Sequence, residues 1–209
     1  MPQPRKTNSE IEIKLPVTDL RATIRAMRAL GAVSQGRTFE SNTLYDTPHS
    51  DLRNRGRLLR VRIESAAPAT ARIHSISVRR VVLTSKAPSR QHNATRKNRR
   101  YKERAEREEV APHDARNWPA TLAALGFQPA FRYEKYRSTF NLHGLHLDLD
   151  ETPVGTFLEL EGRPAAIDRV ARALGYTPGQ YIRATYWDVY AADCRRRGRP
   201  IENMVFPAK

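Results

Sequence analysis

The segment Glu10-Ile11-Glu12-Ile13-Lys14-Leu15 alternates charge and hydrocarbon without a break, and this constrains the fold more than any other feature of the chain. In an extended strand Glu10, Glu12 and Lys14 share one face, and Ile11, Ile13 and Leu15 the other. The same two-residue spacing recurs at Arg60 and Arg62, Thr84 and Lys86, Arg104 with Glu106 and Glu108, Lys135 and Arg137, Asp148 and Asp150, and Glu159 and Glu161. One such pair alone is ordinarily a solvated strand face. Recurrence in both signs along the chain points instead to a barrel whose lumen is lined with charge. Cross-strand salt bridges on an open sheet are the competing reading.

Runs of strands, not strands alternating one for one with helices, fill the rest of the pattern. Strands are expected at Thr38 to Tyr45, Leu58 to Glu64, Ile76 to Lys86, Lys102 to Val110, Phe131 to Leu142, Leu145 to Asp150 and Thr156 to Glu161. Leu20, Ile24, Met27 and Leu30 recur at helical spacing after Asp19 and before Gly31. Further helices are expected over Asp114 to Leu125, with Pro119 marking the true first turn, over Pro164 to Leu174, and over Gly179 to Arg196. Leu52 to Gly56 reads as a short helical or turn segment. The order gives an antiparallel α+β fold of about eight strands with flanking helices. Residues 1–9 are expected to be flexible, Ser65 to Thr70 to form a loop, and 87–100 to form a basic mobile loop.

At 209 residues the chain is long enough for one domain with a proper core, and no linker divides it, so residues 1–209 are read as a single domain. Thirty-seven Lys and Arg against 22 Asp and Glu give a net charge of +15, a field that favours polyanions. The single cysteine, Cys194, excludes a disulfide within the chain and fits a reducing compartment. The polar N-terminus lacks the apolar core of a signal peptide, and no stretch approaches the roughly 20 apolar residues of a membrane span. The expected location is the cytoplasm. The six histidines show no shared zinc spacing, though His146 shares a strand face with Asp148 and Asp150. No glycine-rich phosphate loop or serine-nucleophile elbow is present. Trp118, Tyr181, Tyr186 and Trp187 are assigned to core packing.

The two charged sets suit complementary chemistry. Glu10, Glu12, Glu106, Glu108, Asp148, Asp150, Glu159 and Glu161 are hard oxygen donors, and crowded carboxylates repel unless cations intervene. Such donors suit Mg²⁺ or Mn²⁺, with water and substrate phosphates completing the shell. Lys14, Arg60, Arg62, Lys86, Arg104, Lys135 and Arg137 offer guanidinium forks and ammonium charges that match phosphate oxygens. A lumen with both sets can hold a metal on one wall and a phosphate chain on the other, which is most of what phosphoryl chemistry needs.

Taken in order, Glu10-x-Glu12-x-Lys14, Leu44-Tyr45-Asp46-Thr47-Pro48, Leu59-Arg60-Val61-Arg62, Leu83-Thr84-Ser85-Lys86, Arg104-x-Glu106-x-Glu108, Lys135-x-Arg137, Asp150 and Gly155-x-Phe157-x-Glu159-x-Glu161 resemble the motifs of the CYTH superfamily. These are the triphosphate tunnel metalloenzymes, which include class IV adenylate cyclases and thiamine triphosphatases. The resemblance covers nearly the whole chain and implies an eight-stranded antiparallel tunnel. It implies that Glu10, Glu12, Glu159 and Glu161 form the metal side, and that Glu106, Glu108 and Asp150 are further acids of the lumen. By the same resemblance Lys14, Arg60, Arg62, Lys86, Arg104, Lys135 and Arg137 form the phosphate cradle, with Lys14 and Lys86 the expected catalytic residues. Ser85, Ala87 and Thr185 depart from the usual family residues, and the motifs give no account of the basic loop.

The expected activity is metal-dependent hydrolysis of tripolyphosphate, thiamine triphosphate or a nucleoside triphosphate. Its runner-up is a class IV adenylate cyclase, which would make cyclic AMP and pyrophosphate from ATP. From another class comes a non-catalytic module for polyphosphate or RNA, but electrostatic binding of that kind does not call for carboxylates in a lumen. Nucleic acid and membrane are accordingly not expected as partners, and the sequence leaves oligomeric state open.

Overall fold

The computed structural model describes residues 8–67, 78–88, 100–111 and 117–207. Among the described residues there are eight strands: β1 (Asn8–Val17), β2 (Val33–Asp46), β3 (Leu58–Ala66), β4 (Val78–Pro88), β5 (Lys102–Ala111), β6 (Gln128–Leu142), β7 (Leu145–Thr152) and β8 (Gly155–Glu161). They close a barrel in the order β1-β5-β4-β3-β2-β6-β7-β8, and every neighbouring pair is antiparallel. The α+β barrel expected from alternation is therefore the architecture, and closure leaves no sheet edge exposed.

Charge inside the barrel forces hydrocarbon outside it. Ile13, Leu15, Leu147, Leu149, Leu158 and Leu160 project from the outer face and are buried against Met27, Ile167 and Ala171. Those three belong to α1 (Leu20–Ala29) and α4 (Pro164–Ala173). Each fully buried Leu or Ile contributes about 1.5–3 kcal/mol, so this outer layer is the main hydrophobic core. A smaller cluster of Tyr45, Val61, Val81 and Leu122 forms under α3 (Trp118–Ala124). Asp19 caps α1 by accepting from the Ala22 N–H at 2.8 Å, and Gly31 ends the turn at φ +94°.

The expectation of one helix over Gly179 to Arg196 is corrected. Pro178–Gln180 is a single 3₁₀ turn, and α5 (Tyr186–Arg196) starts later. Thr185 and Asp188 set that start by a reciprocal cap: the Thr185 hydroxyl accepts from the Asp188 N–H, and the Asp188 carboxylate accepts from the Thr185 N–H at 2.9 Å. Between turn and helix, Ile182 pairs its backbone with Lys14 in both directions, at 3.0 and 2.9 Å.

Boundaries elsewhere lie close to expectation except that β2 begins at Val33, well before the expected Thr38, and the short helix is α2 (Asp51–Asn54). Asn8 and Ser9 already belong to β1, Ser65 and Ala66 to β3, and Ala87 and Pro88 to β4. The remainder of the expected flexible N-terminus, nearly all of the 87–100 loop, the start of the Ile76 strand and the start of the Asp114 helix lie outside the described residues. No described helix is long and apolar enough to cross a membrane.

Candidate functional site

Because side chains alternate, the antiparallel register sets lumen residue against lumen residue around the whole barrel. Lys14 faces Glu159 and Glu12 faces Glu161 across β1 and β8. Glu10 faces Arg104 and Glu12 also faces Lys102 across β1 and β5. Lys86 faces Glu106, Arg60 faces Thr84, Arg62 faces Asn42, Lys135 faces Glu40, and Arg137 faces Asp150. They surround a cavity of about 1050 Å³. All the predicted site residues line it except Asp150.

Asp150 is fully buried behind the wall, and donors take up both of its oxygens. Arg137 reaches them at 2.7 and 2.6 Å, Lys135 donates at 2.8 Å, and the Tyr186 hydroxyl donates at 2.7 Å. Its carboxylate thus anchors cradle cations instead of facing the lumen as a metal ligand would. Arg137 is held a second time by Asp148 at 2.7 Å. Arg60 donates to Thr84 at 3.0 Å and to Glu108 at 3.2 Å, and the Arg62 Nε donates to Asn42 at 3.1 Å. The ammonium groups of Lys14 and Lys135 lie 5.1 and 5.0 Å from the centre of the Tyr186 ring.

Across the lumen the carboxylates crowd. Burial, then the neighbouring Glu12 charge, pushes the Glu10 carboxyl up to about 8, and Glu10 shares a hydrogen bond with Glu106. Burial also raises Glu161, which feels Glu12 and Glu106. Glu12 is different: burial would raise it, but Lys14 and Lys102 hold it well below the carboxylate range. Lys86 bridges Glu10 at 2.6 Å and Glu106 at 3.1 Å, while Lys102 contacts Glu12. Lys102 is itself lowered to about 8, by burial and then by Lys14. Glu159 lies on the cradle side of this group, 3.0 Å from Lys14 and paired also with Arg137.

The all-oxygen donor set of Glu10, Glu12, Glu106 and Glu161 fits a hard divalent cation, and their mutual repulsion is what such a cation would relieve. Among the described residues no three of them are drawn into a ready-made metal cage. Lys86 and Lys102 occupy the oxygens that a cation would take.

Three buried side-chain polar atoms among the described residues have no hydrogen-bond partner: Glu40 Oε2, Asn42 Nδ2 and Arg60 Nε. Glu40 and Arg60 line the cavity, whereas Asn42, like Asp150, is fully buried behind it. An unmet buried donor costs about 1–3 kcal/mol, so Arg60 Nε marks where an acceptor-rich guest of the cavity would be favoured.

Several wall residues were not singled out from sequence. Glu40 is only 1% exposed and lies 3.4 Å from Arg62, 3.5 Å from Lys135 and 3.7 Å from Arg137. Its strand carries one lumen charge, so the Glu40 and Asn42 pair lacks the doubled signal of the other strands. Lys102 opens β5, as the expected strand has it, but is absent from the predicted cradle although it lines the cavity. Tyr186 was read as core, and it is buried, but its hydroxyl enters the charged network.

The chain belongs to the CYTH family: the CYTH domain model matches residues 8–186. Similar folds occur in solved structures at low identity. The PH1819 protein from Pyrococcus horikoshii OT3 is 21% identical with a TM-score of 0.69, over 88% of this chain and 99% of that one. A Vibrio parahaemolyticus protein proposed to be an adenylate cyclase is 19% identical with a TM-score of 0.65, over 89% and 99%. The Hippeastrum protein HpAC1, proposed as an adenylyl cyclase and described as having a dominant triphosphatase activity, is 20% identical with a TM-score of 0.53, over 91% and 97%. No curated protein matches the sequence significantly.

Proposed function

We propose that this chain is a single CYTH-type domain across residues 1–209 that hydrolyses a triphosphate with the help of Mg²⁺ or Mn²⁺. The observation that carries this reading is an unmet buried donor of the wall, Arg60 Nε, in a closed lumen whose opposite wall is a crowded set of carboxylates. A buried charge lattice is a poor stabilising device, since hydrophobic replacements commonly match or exceed it. Its use here is to receive charge.

The triphosphate would lie along the lumen with its non-bridging oxygens on Arg60, Arg62, Lys135 and Arg137. Guanidinium forks match those oxygens in pairs, and Asp150, Asp148 and Glu40 fix the forks before the substrate arrives. Lys14 and Lys86 stand between the two walls, each salt-bridged to lumen carboxylates, where they would neutralise charge on the transferred phosphoryl group. Arg104 lines the cavity beside them. Glu10, Glu12, Glu106 and Glu161 would hold the metal, with Glu159 next to them. When bound, the metal would supply charge neutralisation and a polarised water. Glu108 is tied to Arg60 and would support the cradle. We place the protein in the cytoplasm, where a free buried Cys194 is stable.

One observation favours a cyclase as second reading. The cavity has an apolar end, lined by Leu44, Phe131 and Trp187, that could seat an adenosine. The deciding assay offers tripolyphosphate, thiamine triphosphate and ATP with Mg²⁺ or Mn²⁺ and follows orthophosphate, pyrophosphate and cyclic AMP. The proposal expects orthophosphate from at least one substrate faster than cyclic AMP from ATP. Equal amounts of cyclic AMP and pyrophosphate, with little orthophosphate, would make the chain a cyclase. Binding without any product would leave only a polyphosphate- or RNA-binding module.

A further inference from the structure

Tyr133 lies two residues before Lys135 on β6, so it shares the lumen face of Lys135 and Arg137 and lines the same cavity. It is only 5% exposed. Two neighbouring rings hold its own in place: Phe131 stacks on it at 5.8 Å between centres, and Tyr186 packs against it at the same distance. The strand is fixed beside it, since the Glu134 N–H donates to the Met204 carbonyl at 2.9 Å.

The two buried tyrosine hydroxyls of this layer spend their protons differently. Tyr186 donates to Asp150 at 2.7 Å. Tyr133 instead accepts from Arg60 Nη1 at 3.2 Å, and among the described residues this is the one hydrogen bond its hydroxyl makes. Its proton has no protein acceptor. Arg60 shows the matching pattern: Nη1 donates to Tyr133, Nη2 to Thr84 and Glu108, and Nε to nothing. Two unspent donors therefore lie in adjoining groups of one wall, and no described side chain receives either proton.

The surrounding charge decides what these donors can receive. Burial would raise the Tyr133 hydroxyl, but Arg60, Lys135 and Arg62 hold it below the ordinary tyrosine range, and a more acidic O–H is a stronger donor. Accepting from a guanidinium polarises the hydroxyl in the same direction. An apolar guest would leave both protons unmet, and a cationic one would be repelled by the wall. An oxyanion with several lone pairs meets both.

We propose that Tyr133 is a phosphate-binding residue of the lumen, its hydroxyl donating to a phosphoryl oxygen that is also held by Arg60. The contact is neutral where the rest of the cradle is cationic, so it adds direction without adding charge. It rests on the reading of the lumen as a triphosphate site. The competing role for the hydroxyl is purely structural, as an acceptor that positions Arg60.

Calorimetric titration of the full chain with tripolyphosphate separates the two, using Tyr133→Phe, Arg60→Ala and the double variant. The phenylalanine keeps both ring contacts and removes only the hydroxyl. A direct contact predicts that Tyr133→Phe binds tripolyphosphate about tenfold more weakly, the scale of a lost hydrogen bond to a charged group. It also predicts a further severalfold loss when the hydroxyl is removed from Arg60→Ala, where an effect exerted through Arg60 would vanish. In a second arm, 3-fluorotyrosine at position 133 is a stronger donor and a weaker acceptor, so in mildly acidic buffer it should bind more tightly than the parent. Unchanged or tighter binding by Tyr133→Phe, a loss confined to the chain that keeps Arg60, or weaker binding by the fluorotyrosine protein would overturn the hydroxyl contact and leave the lumen reading intact. A parent that does not bind tripolyphosphate, or whose binding ignores Arg60→Ala and Tyr133→Phe alike, would remove the lumen reading and the Tyr133 contact with it.

Discussion

Glu40→Gln is the most informative single substitution, because Glu40 is a counter-ion to three cradle cations and touches none of the metal-side carboxylates. The carboxylate is almost fully buried, and Arg62, Lys135 and Arg137 together hold it well below the usual range against the burial that would raise it. Removing one partner from a buried ion pair costs about 3–5 kcal/mol. The lower end applies here, since Arg62 keeps Asn42 and Glu64, and Lys135 and Arg137 keep Asp150. About 3 kcal/mol in a chain of this size corresponds to a Tm lower by about 6–12 °C. The sign reverses on binding: cations freed from Glu40 are better hosts for phosphate, so tripolyphosphate should raise the Tm of the variant more than that of the parent. Differential scanning calorimetry with and without tripolyphosphate reads both effects. An unchanged Tm would show that Glu40 is not an effective counter-ion. A normal loss with weaker rescue by tripolyphosphate would show that the phosphates bind elsewhere.

Three further outcomes follow from the lumen. Glu10 is held up to about 8, so a metal must displace its proton below that pH, and Lys102, lowered to about 8, releases Glu12 as it loses its own. Mn²⁺ affinity measured by calorimetry should therefore rise by up to about tenfold per pH unit from pH 6 toward 8 and then level, with a shallower slope in Glu10→Gln; affinity flat over that range would contradict the assignment. Arg60→Ala and Arg62→Ala should weaken triphosphate binding far more than Arg25→Ala or Arg28→Ala on the exposed face of α1, and equal losses would indicate simple polyanion attraction. The double variant Glu159→Gln and Glu161→Gln should lose metal-dependent turnover while its circular dichroism stays that of the parent; unchanged activity at limiting Mg²⁺ would remove Glu161 from the metal set and Glu159 from its support.

Alternation made most of this readable, because a strand's period of two assigns every side chain to a face once one is known. The lumen positions of Glu10, Lys14, Arg60, Arg62, Lys86, Lys135, Arg137 and Glu159 follow from that rule alone. Closure of the barrel makes the same rule strict: a one-residue slip would turn every charge toward the hydrocarbon layer under α1 and α4. Where the rule has only one charge to work on, it fails, and Glu40 is the example. It is also blind to depth, so Asp150 looks equivalent to Asp148 in sequence although only Asp148 reaches the cavity. The aromatic residues pack in the core as expected, but their second role is not legible in the sequence. Composition cannot tell a packed ring from one whose hydroxyl or face serves a charged neighbour, as Tyr186 and Trp187 do. The start of α5 was missed because Pro178 and Gly179 resemble a helix start, whereas the reciprocal cap of Thr185 and Asp188 is what begins it.

The central claim is that one triphosphate is bound inside the barrel by fixed cations, and calorimetric titration with tripolyphosphate at low and high salt tests it most directly. Binding inside a low-dielectric lumen predicts a stoichiometry of one per chain, retained at high salt and abolished by Arg60→Ala with Arg62→Ala. Several ions bound per chain, with an affinity that collapses as salt rises and ignores those two arginines, would contradict it.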